Sequence, residues 1–422
     1  MATLEHIAYL PESPEVQANG KIEWVRCRHR RELERLPQIF WDNGSTWPEA
    51  NLWALDLALS KASIKTVIAT MQGLLTYAKW LEAESIDWWH FPRRAADRCL
   101  YRYRGFLVYA RDRGELAPST ASARMSTVIR FYRWAYANEL LTPESLMWND
   151  RTVKIRIQDL TGFHRSMNVL STDLAIPNRT IAGDLHLEDG LMPVTRAERD
   201  AIIQFTHDHS SEEISLMLRL GFLTGMRLGT ICDIKEGTVQ DSVPAPVPGF
   251  HQLSVGPGAQ PRVKTKMGVT GRVLIPNHLL DDLKAYLCSE RRLLRKGLAD
   301  KSDADLAFLN PHGKPYEDRD GGHSAVNTEM SRLRKLAEIE GVPEMRGFKF
   351  HRSRATFATM LMMAALDTFN EVSSAIAFVR NACLHKREST TLEYIKFIED
   401  TQAMSEAADK FTDFFMGSQQ NA

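Results

Sequence analysis

The chain has two long blocks in which apolar residues recur at helical spacing, separated by a stretch in which that spacing is lost, and this interruption limits the folds open to it. The first block runs from Ser60 to about Leu141. In SIKTVIATMQGLLTYAKWLE the residues Ile64, Ile68, Met71, Leu75, Ala78 and Leu81 fall on one stripe. In PSTASARMSTVIRFYRWAYANELL the inward set is Met125, Val128, Ile129, Tyr132 and Ala135, with Ser119 as the expected N-cap after Pro118. Between about Thr142 and Leu191 the period fades and Pro, Asn, Asp, Gly and Thr gather, as in LSTDLAIPNRTIAGDLHLEDG, which predicts a domain boundary. The pattern resumes at Pro193-Val194-Thr195. Thr195 is positioned to cap TRAERDAIIQFTHDH, and Ser211 to cap SEEISLMLRLGFLTG with Ile214, Met217, Leu220 and Leu223 buried. HQLSVGP and RVKTKMGVTGRVLIP then alternate around Gly-Val-Thr-Gly as a β-hairpin or small sheet would. From His278 onward the chain reads mostly helical, and no repeat of solenoid period is present.

With 422 residues and 44% hydrophobic content, two or three domains can each bury a core. The five cysteines (Cys27, Cys99, Cys232, Cys288, Cys383) are odd in number and lack zinc-ligand spacing, so they read as reduced core thiols of a cytoplasmic protein that needs no metal. Glu5, Glu12, Glu15 and two prolines stand where a secretory signal would carry basic and then apolar residues. No apolar run is long enough to span a bilayer.

Formal net charge is zero, but the charges are unevenly spread. Between Arg93 and Arg133 lie Arg94, Arg98, Arg102, Arg104, Arg111, Arg113, Arg124 and Arg130, opposed only by Asp97, Asp112 and Glu115. A basic region of this kind suits a surface that meets phosphates, with Arg98, Arg102, Arg124, Arg130 and Arg133 as candidate DNA contacts. The interleaved Tyr101, Tyr103, Tyr109, Phe131, Tyr132 and Trp134 are assigned mostly to core.

The groups that carry chemistry lie toward the C-terminus. His351 and Arg354, in FKFHRSRATFATML, stand on one helix face and can reach a single phosphate. His385 and Tyr394 follow in NACLHKRESTTLEYIKF, and Arg227 lies upstream in LRLGFLTGMRLGTICDIK. A single His/Arg pair in a chain with thirteen histidines is expected by chance. The ordered set of two arginines, two histidines and a phenol is suited to binding a phosphodiester, neutralising its developing charge and attacking it with the tyrosine oxygen.

Order and context carry a resemblance. HRSRATFAT followed by LHKRESTTLEY resembles the H-x-x-R-H-T-F-A-T and L-G-H-x-x-x-x-T-T-x-x-Y boxes of the tyrosine recombinase (phage integrase) family, with His385 and Tyr394 at the family's spacing. FLTGMRLGTICDI is similar to the T-G-x-R-x-x-E-L box, with Arg227 as its arginine. KTKMGVTGRVLIP is similar to the lysine-bearing turn, with Lys266 in the matching place and Lys264 as the alternative and a candidate DNA contact. Departures are Leu384 for glycine, Cys383 for leucine, Ala355 for histidine, and Thr230 for the glutamate that buttresses the first arginine, a place Asp233 could take. About eight extra residues lie between Arg354 and His385, predicting a longer loop or helix around ALDTFNEVSSAIAF.

The resemblance implies a mainly α fold with a small antiparallel β-sheet: an accessory segment at 1–50, a helical (SAM-like) core-binding domain at 51–165, a linker at 166–191, a catalytic domain at 192–400 and a C-terminal helix at 401–422. The two domains would clamp double-stranded DNA at specific sites. It implies cutting and rejoining through a 3′-phosphotyrosine and a Holliday junction by a homotetramer on two sites, without cofactor, with accessory DNA-bending proteins as further candidate partners. Arg227 and Arg354 would hold the non-bridging oxygens, His351 would take the tyrosine proton, His385 would hydrogen-bond the phosphate, Lys266 would protonate the leaving oxygen, and Tyr394 would attack. The stripe Met404, Ala408, Phe411, Phe415 would pack on its own domain or on a neighbouring protomer. A type IB topoisomerase-like enzyme and a catalytically silent DNA-binding regulator are the rival readings.

Overall fold

The computed structural model describes the chain except residues 28–31, 61, 159–163, 179–186, 188–190, 319–320, 387, 389, 399–400 and 402–422, and only the backbone of 153–158 and 164–169. The Met404–Phe415 stripe lies outside the described residues. The chain divides into two compact units, Met1–Ala182 and Gly183–Ala422.

The first unit opens with four strands, β1 (Thr3–Tyr9), β2 (Glu12–Val16), β3 (Ile22–Arg26) and β4 (Leu33–Phe40); β1 pairs antiparallel with β4, and β2 with β3. Four helices follow: α1 (Pro48–Leu59), α2 (Ile64–Glu84), α3 (Cys99–Asp112) and α4 (Pro118–Ala137). Residues 1–50 are more than an appendage, because Ala2, Leu33, Leu36, Ile39 and Trp47 join the helical core. Ser63 caps α2 by accepting from the Thr66 amide, and Ser85 ends it in the left-handed region. The buried stripe is Val67, Met71, Leu74, Tyr77, Ala78 and Leu81, turned by about one residue from the expected one, since Tyr77 and Trp80 bring the larger area inward. In α4 the expected core is buried, but Ala117 takes the N-cap place and Ser119 lies inside the helix; Pro118 at the first turn fixes the start without a side-chain cap.

Of the aromatics, Tyr103, Phe131 and Tyr132 are buried and Tyr101 and Trp134 half-buried. Tyr109 is 61% exposed, with Arg113 over its ring, and is not core. The stretch where the helical period fades holds a long antiparallel hairpin, β5 (Asp150–Gln158) with β6 (His164–Thr172), which reaches into the expected linker. The alternation Val153, Ile155, Ile157 in TVKIRIQ was the available signal for it.

The second unit begins with α5 (Arg196–His209), α6 (Glu212–Thr224), α7 (Leu228–Cys232) and α8 (Glu236–Gln240). Thr195 and Glu198 form a capping box on α5, and Ser211 caps α6 through the Ile214 amide. Ile214, Met217 and Leu220 are buried and Leu223 half-buried. A three-stranded antiparallel sheet follows in the order β7 (Val243–Pro244), β8 (Phe250–Val255), β9 (Gly271–Pro276). The Gly-Val-Thr-Gly segment is not its tight turn. The sheet register pairs Val255 with Gly271, so residues 256–270 form a long excursion that carries Lys264 and Lys266.

Helices α9 (Asn277–Leu287), α10 (Glu290–Leu298), α11 (Ser324–Glu340), α12 (Arg352–Thr368) and α13 (Val372–Ala382) complete the unit, with helical backbone again over 390–398. The residues in excess between Arg354 and His385 are thus taken up in α12, α13 and a short link. Not every cysteine is a core thiol: Cys99, Cys232 and Cys383 are buried, Cys27 is half-buried, and Cys288 is exposed at the C-terminus of α9. Among the described residues no helix is long and apolar enough to cross a membrane.

Candidate active site

Two glycines bring α6 and α12 together. A Cβ at Gly221 would lie 2.4 Å from Ser353 Oγ, and one at Gly225 would lie 2.3 Å from Phe357 Cδ1. Gly225 also ends α6 at φ 66°, a left-handed conformation that L side chains rarely adopt. Its carbonyl, turned outward by this cap, accepts from Arg354 Nη1, while Arg354 Nη2 donates to the Cys383 carbonyl at 2.9 Å. Arg354 is 2% exposed. The side chain is fixed by backbone acceptors from two separate segments, which makes its direction a property of the packing.

Arg227 follows two residues after Gly225, as the N-cap of α7, and is half-buried. It lines a small cavity of about 20 Å³ together with Lys266 and Arg354, closed by Thr230, Cys383 and Leu384. Two arginines and one lysine, far apart in sequence, thus converge on one volume. The Asp233 carboxylate accepts from Lys235 Nζ at 3.2 Å and from the Lys264 amide at 2.6 Å, so it ties the excursion to the end of α7. The two candidate lysines are separated by their surroundings. Lys264 Nζ is held 3.0 Å from Glu317. Partial burial works against the Lys264 charge, but the hydrogen bond and charge of Glu317 outweigh it and raise the ammonium above its ordinary value. Lys266 is exposed and borders the cavity.

His385 is set by the end of α13. The His385 amide donates to the Arg380 carbonyl at 2.9 Å and the Leu384 amide to the Asn381 carbonyl at 3.2 Å, the paired bonds of a Schellman cap. Leu384 is the cap residue with φ 51°, where glycine is the unstrained choice. Its side chain lies against β9: a Cβ at Gly271 would be 2.4 Å from Leu384 Cδ2. His385 is 4% exposed, with Nδ1 2.9 Å from Thr391 Oγ1. Its ring stacks on Tyr394, the centroids 5.9 Å apart and the planes 10° from parallel.

Tyr394 is fully buried among Ala355, Ala358, Met362, Val379 and Cys383. His351 stands half-buried at the start of α12, one helical turn before Arg354. Arg227, Lys266 and Arg354 meet in the small cavity, whose described lining does not include His351, and His385 and Tyr394 form a second, buried pair. Thr391, Gly225 and the Cys383 carbonyl are positioning groups that the sequence reading missed. The second threonine of the L-H-x-x-x-x-T-T run was the one legible hint.

The candidate DNA-contacting arginines divide. Arg98 is 9% exposed and gives its guanidinium to the carbonyls of Pro92, Arg93 and Leu146, so it braces its own unit from within. Arg102 pairs with Glu84, and Arg133 with Asp150. Among the described residues no carboxylate pairs with Arg124 or Arg130; Arg130 is exposed and Arg124 half-buried.

No family model matches the chain, and no curated protein matches it. The fold is similar to solved structures of DNA recombinases and integrases. The XerH site-specific recombinase bound to its difH substrate, in a pre-cleavage complex, is 16% identical over 84% of each chain, with a TM-score of 0.48. A lambda integrase dimer bound to a COC′ core site is 15% identical over 82% of this chain and 94% of that one, at 0.46. The Tn1549 transposon integrase in complex with circular intermediate DNA is 13% identical over 82% of this chain and 94% of that one, at 0.48. At such scores the likeness is one of fold only, and the chemistry rests on the residues of the site.

Proposed function

We propose that this chain is a site-specific DNA recombinase of the tyrosine recombinase type, which cuts and rejoins DNA through a 3′-phosphotyrosine intermediate. The observation that carries the reading is the convergence of Arg227, Lys266 and Arg354 on one cavity, beside the stacked pair of His385 and Tyr394. A phosphodiester has two non-bridging oxygens, and the planar guanidinium forks of Arg227 and Arg354 match them in geometry and charge. As the phosphorane forms, charge grows on those oxygens, and fixed cations stabilise it without a metal clamp. A tyrosine hydroxyl with an ordinary pKa of about 10 must lose its proton as it attacks. His351 takes that proton as general base, and His385 donates to a phosphate oxygen. Lys266 gives a proton to the departing 5′ oxygen; Lys264, paired with Glu317, is the weaker candidate. Because Tyr394 is buried, attack requires its ring to move toward the phosphate.

The finer reading is exchange between two DNA sites by four protomers through a Holliday junction, serving integration, excision or resolution of a mobile element or replicon. The test is covalent capture in EDTA, using nicked suicide duplexes built from the ends of the DNA element that carries the gene. The wild-type chain forms a phosphotyrosine adduct and Tyr394→Phe forms none while still binding the duplex. An adduct that persists in Tyr394→Phe sinks the assignment. Binding without any adduct in the wild type favours the silent regulator, and relaxation of plasmid by monomers without site preference favours the topoisomerase-like enzyme.

A further inference from the structure

Leu384 is a partition as well as a helix cap. On one side of it lies the small cavity of the two arginines, and on the other a larger one of about 690 Å³ between the β8–β9 sheet and α13. Leu274, Phe378 and Leu384, each half-buried, give the larger cavity an apolar floor. Its rim carries Arg272, Arg380 and Lys386, all exposed. No carboxylate lines it among the described residues, and none pairs with Arg380 or Lys386 there. Among the described residues, Arg272 donates to the neutral Gln252, at 3.2 Å. His385 lies on its wall.

Arg380 alone has an ordinary explanation, since a cation in the last turn of a helix offsets the helix dipole. That explanation does not reach Lys386, beyond the helix, or Arg272, on the sheet. Three exposed cations, from β9, the end of α13 and the residues just past it, thus border an apolar floor that no described carboxylate shares, and the surface is complementary to an anion. The shape suits a group that is anionic at its edge and weakly polar in its body. A nucleotide has that form, its phosphate ionised and its deoxyribose and base presenting apolar faces.

We propose that this cavity is a nucleotide subsite, which takes one nucleotide of the bound strand beside the phosphate held by Arg227 and Arg354. The phosphate lies on Arg380, Lys386 and Arg272, and the sugar and base lie against Phe378, Leu274 and Leu384. The subsite rests on the DNA-cleaving reading for its place in the reaction, but not for its binding chemistry. Leu384, standing where the resembled family has glycine, supplies the wall that separates the two anion positions. Occupancy of the subsite fixes the strand on the side of His385.

Thymidine 3′,5′-bisphosphate serves as the probe, titrated into the full chain with methyl NMR of Leu274 and Leu384. The wild type shows saturable shifts of these methyls. In Arg380→Ala/Lys386→Ala the affinity falls at least tenfold, and in Arg380→Lys it is kept within a few-fold. Equal affinity in the wild type and the double alanine variant, or shifts of Leu384 without any saturable shift of Leu274, which lines only the larger cavity of the two, overturns the subsite. A second measurement places it in the reaction. Single methylphosphonates are walked along the suicide duplex, and one flanking position slows capture by the wild type but not further by the double variant. If the wild type captures no DNA while the probe still binds here, the recombinase reading fails and the subsite stands. If capture proceeds and no flanking methylphosphonate is blunted by the double variant, the subsite has no part in cleavage and the proposal fails.

Discussion

The junction of α6 with α12 holds the buried arginine in place, and one methyl group tests it. In Gly225→Ala the new Cβ must occupy a site 2.3 Å from Phe357 Cδ1 and 2.8 Å from Cε1, at a backbone φ of 66°. The left-handed conformation costs an alanine about 1–2 kcal/mol, and overpacking against the ring adds about 1–3 kcal/mol. Together they predict about 2–5 kcal/mol. In a unit of this size that lowers the melting temperature by about 4–20 °C. Gly221→Ala is the control. It also meets α12, at Ser353 Oγ, but in ordinary helical backbone where alanine gains about 1 kcal/mol of propensity, so its net cost is smaller.

The nine tryptophans all lie at or before Trp148, in the first unit. Tryptophan fluorescence therefore follows that unit alone, while far-UV circular dichroism follows both. Gly225→Ala should advance the dichroism transition and leave the fluorescence transition in place. Adding Phe357→Ala should recover the overpacking share, seen as a coupling energy of about 1–3 kcal/mol in a double-mutant cycle, and leave the left-handed share. A cost below about 1 kcal/mol with no coupling to Phe357 would refute the view that this contact is tight and that it orients the carbonyl bound by Arg354.

Three further expectations concern residues outside this junction. Lys266→Ala should slow strand cleavage and recover speed on a 5′-phosphorothiolate substrate, whose sulfur leaves without a proton; rescue of Lys264→Ala instead would show that the lysine paired with Glu317 is the acid. Charge reversal at Arg124 and Arg130 should weaken DNA binding and reduce the log–log salt slope by about two, one counterion per lost phosphate contact; an unchanged slope in a salt titration would show that neither side chain meets DNA. Burial opposes the charge of Glu213, but the hydrogen bond from Arg291 and the nearby Arg295 prevail and hold its carboxyl below the usual range. The stability it contributes is therefore fully present above the unfolded value near 4.5 and is lost as pH falls through the lower folded value. Glu213→Gln should cost about 3–5 kcal/mol at neutral pH by leaving Arg295 facing a neutral amide, and should flatten the acid limb of the melting curve. A variant with wild-type acid sensitivity would mean that another carboxyl controls it.

The sequence determined what depends on near neighbours along the chain. Thr195 and Ser211 cap their helices because a side-chain oxygen and an amide three residues on are brought together by the helix itself. The apolar period identified α4 and α6 for the same reason, and the order of boxes placed Arg227, His351, Arg354, His385 and Tyr394 in one unit of the chain. Where local pattern was ambiguous, it failed: the face of α2 turned toward its bulkier rings, Pro118 displaced Ser119 as the helix start, and the β5–β6 hairpin was hidden among residues that also favour loops.

Only tertiary structure decided which groups meet. The convergence of Arg227, Lys266 and Arg354 needs α6, α7, α12 and the 256–270 excursion at once, and no periodicity along one segment encodes it. The same holds in part for Arg98, whose charge suggested a phosphate but whose partners are two carbonyls just upstream, of Pro92 and Arg93, and one brought from far along the chain, of Leu146. A cation in sequence has no address until the fold supplies its acceptors, because an electrostatic partner is selected by distance in space and by burial. Leu384 shows both levels together: its place after α13 follows from the helix end, while its role as a wall between two cavities exists only because β9 and its glycine lie against it.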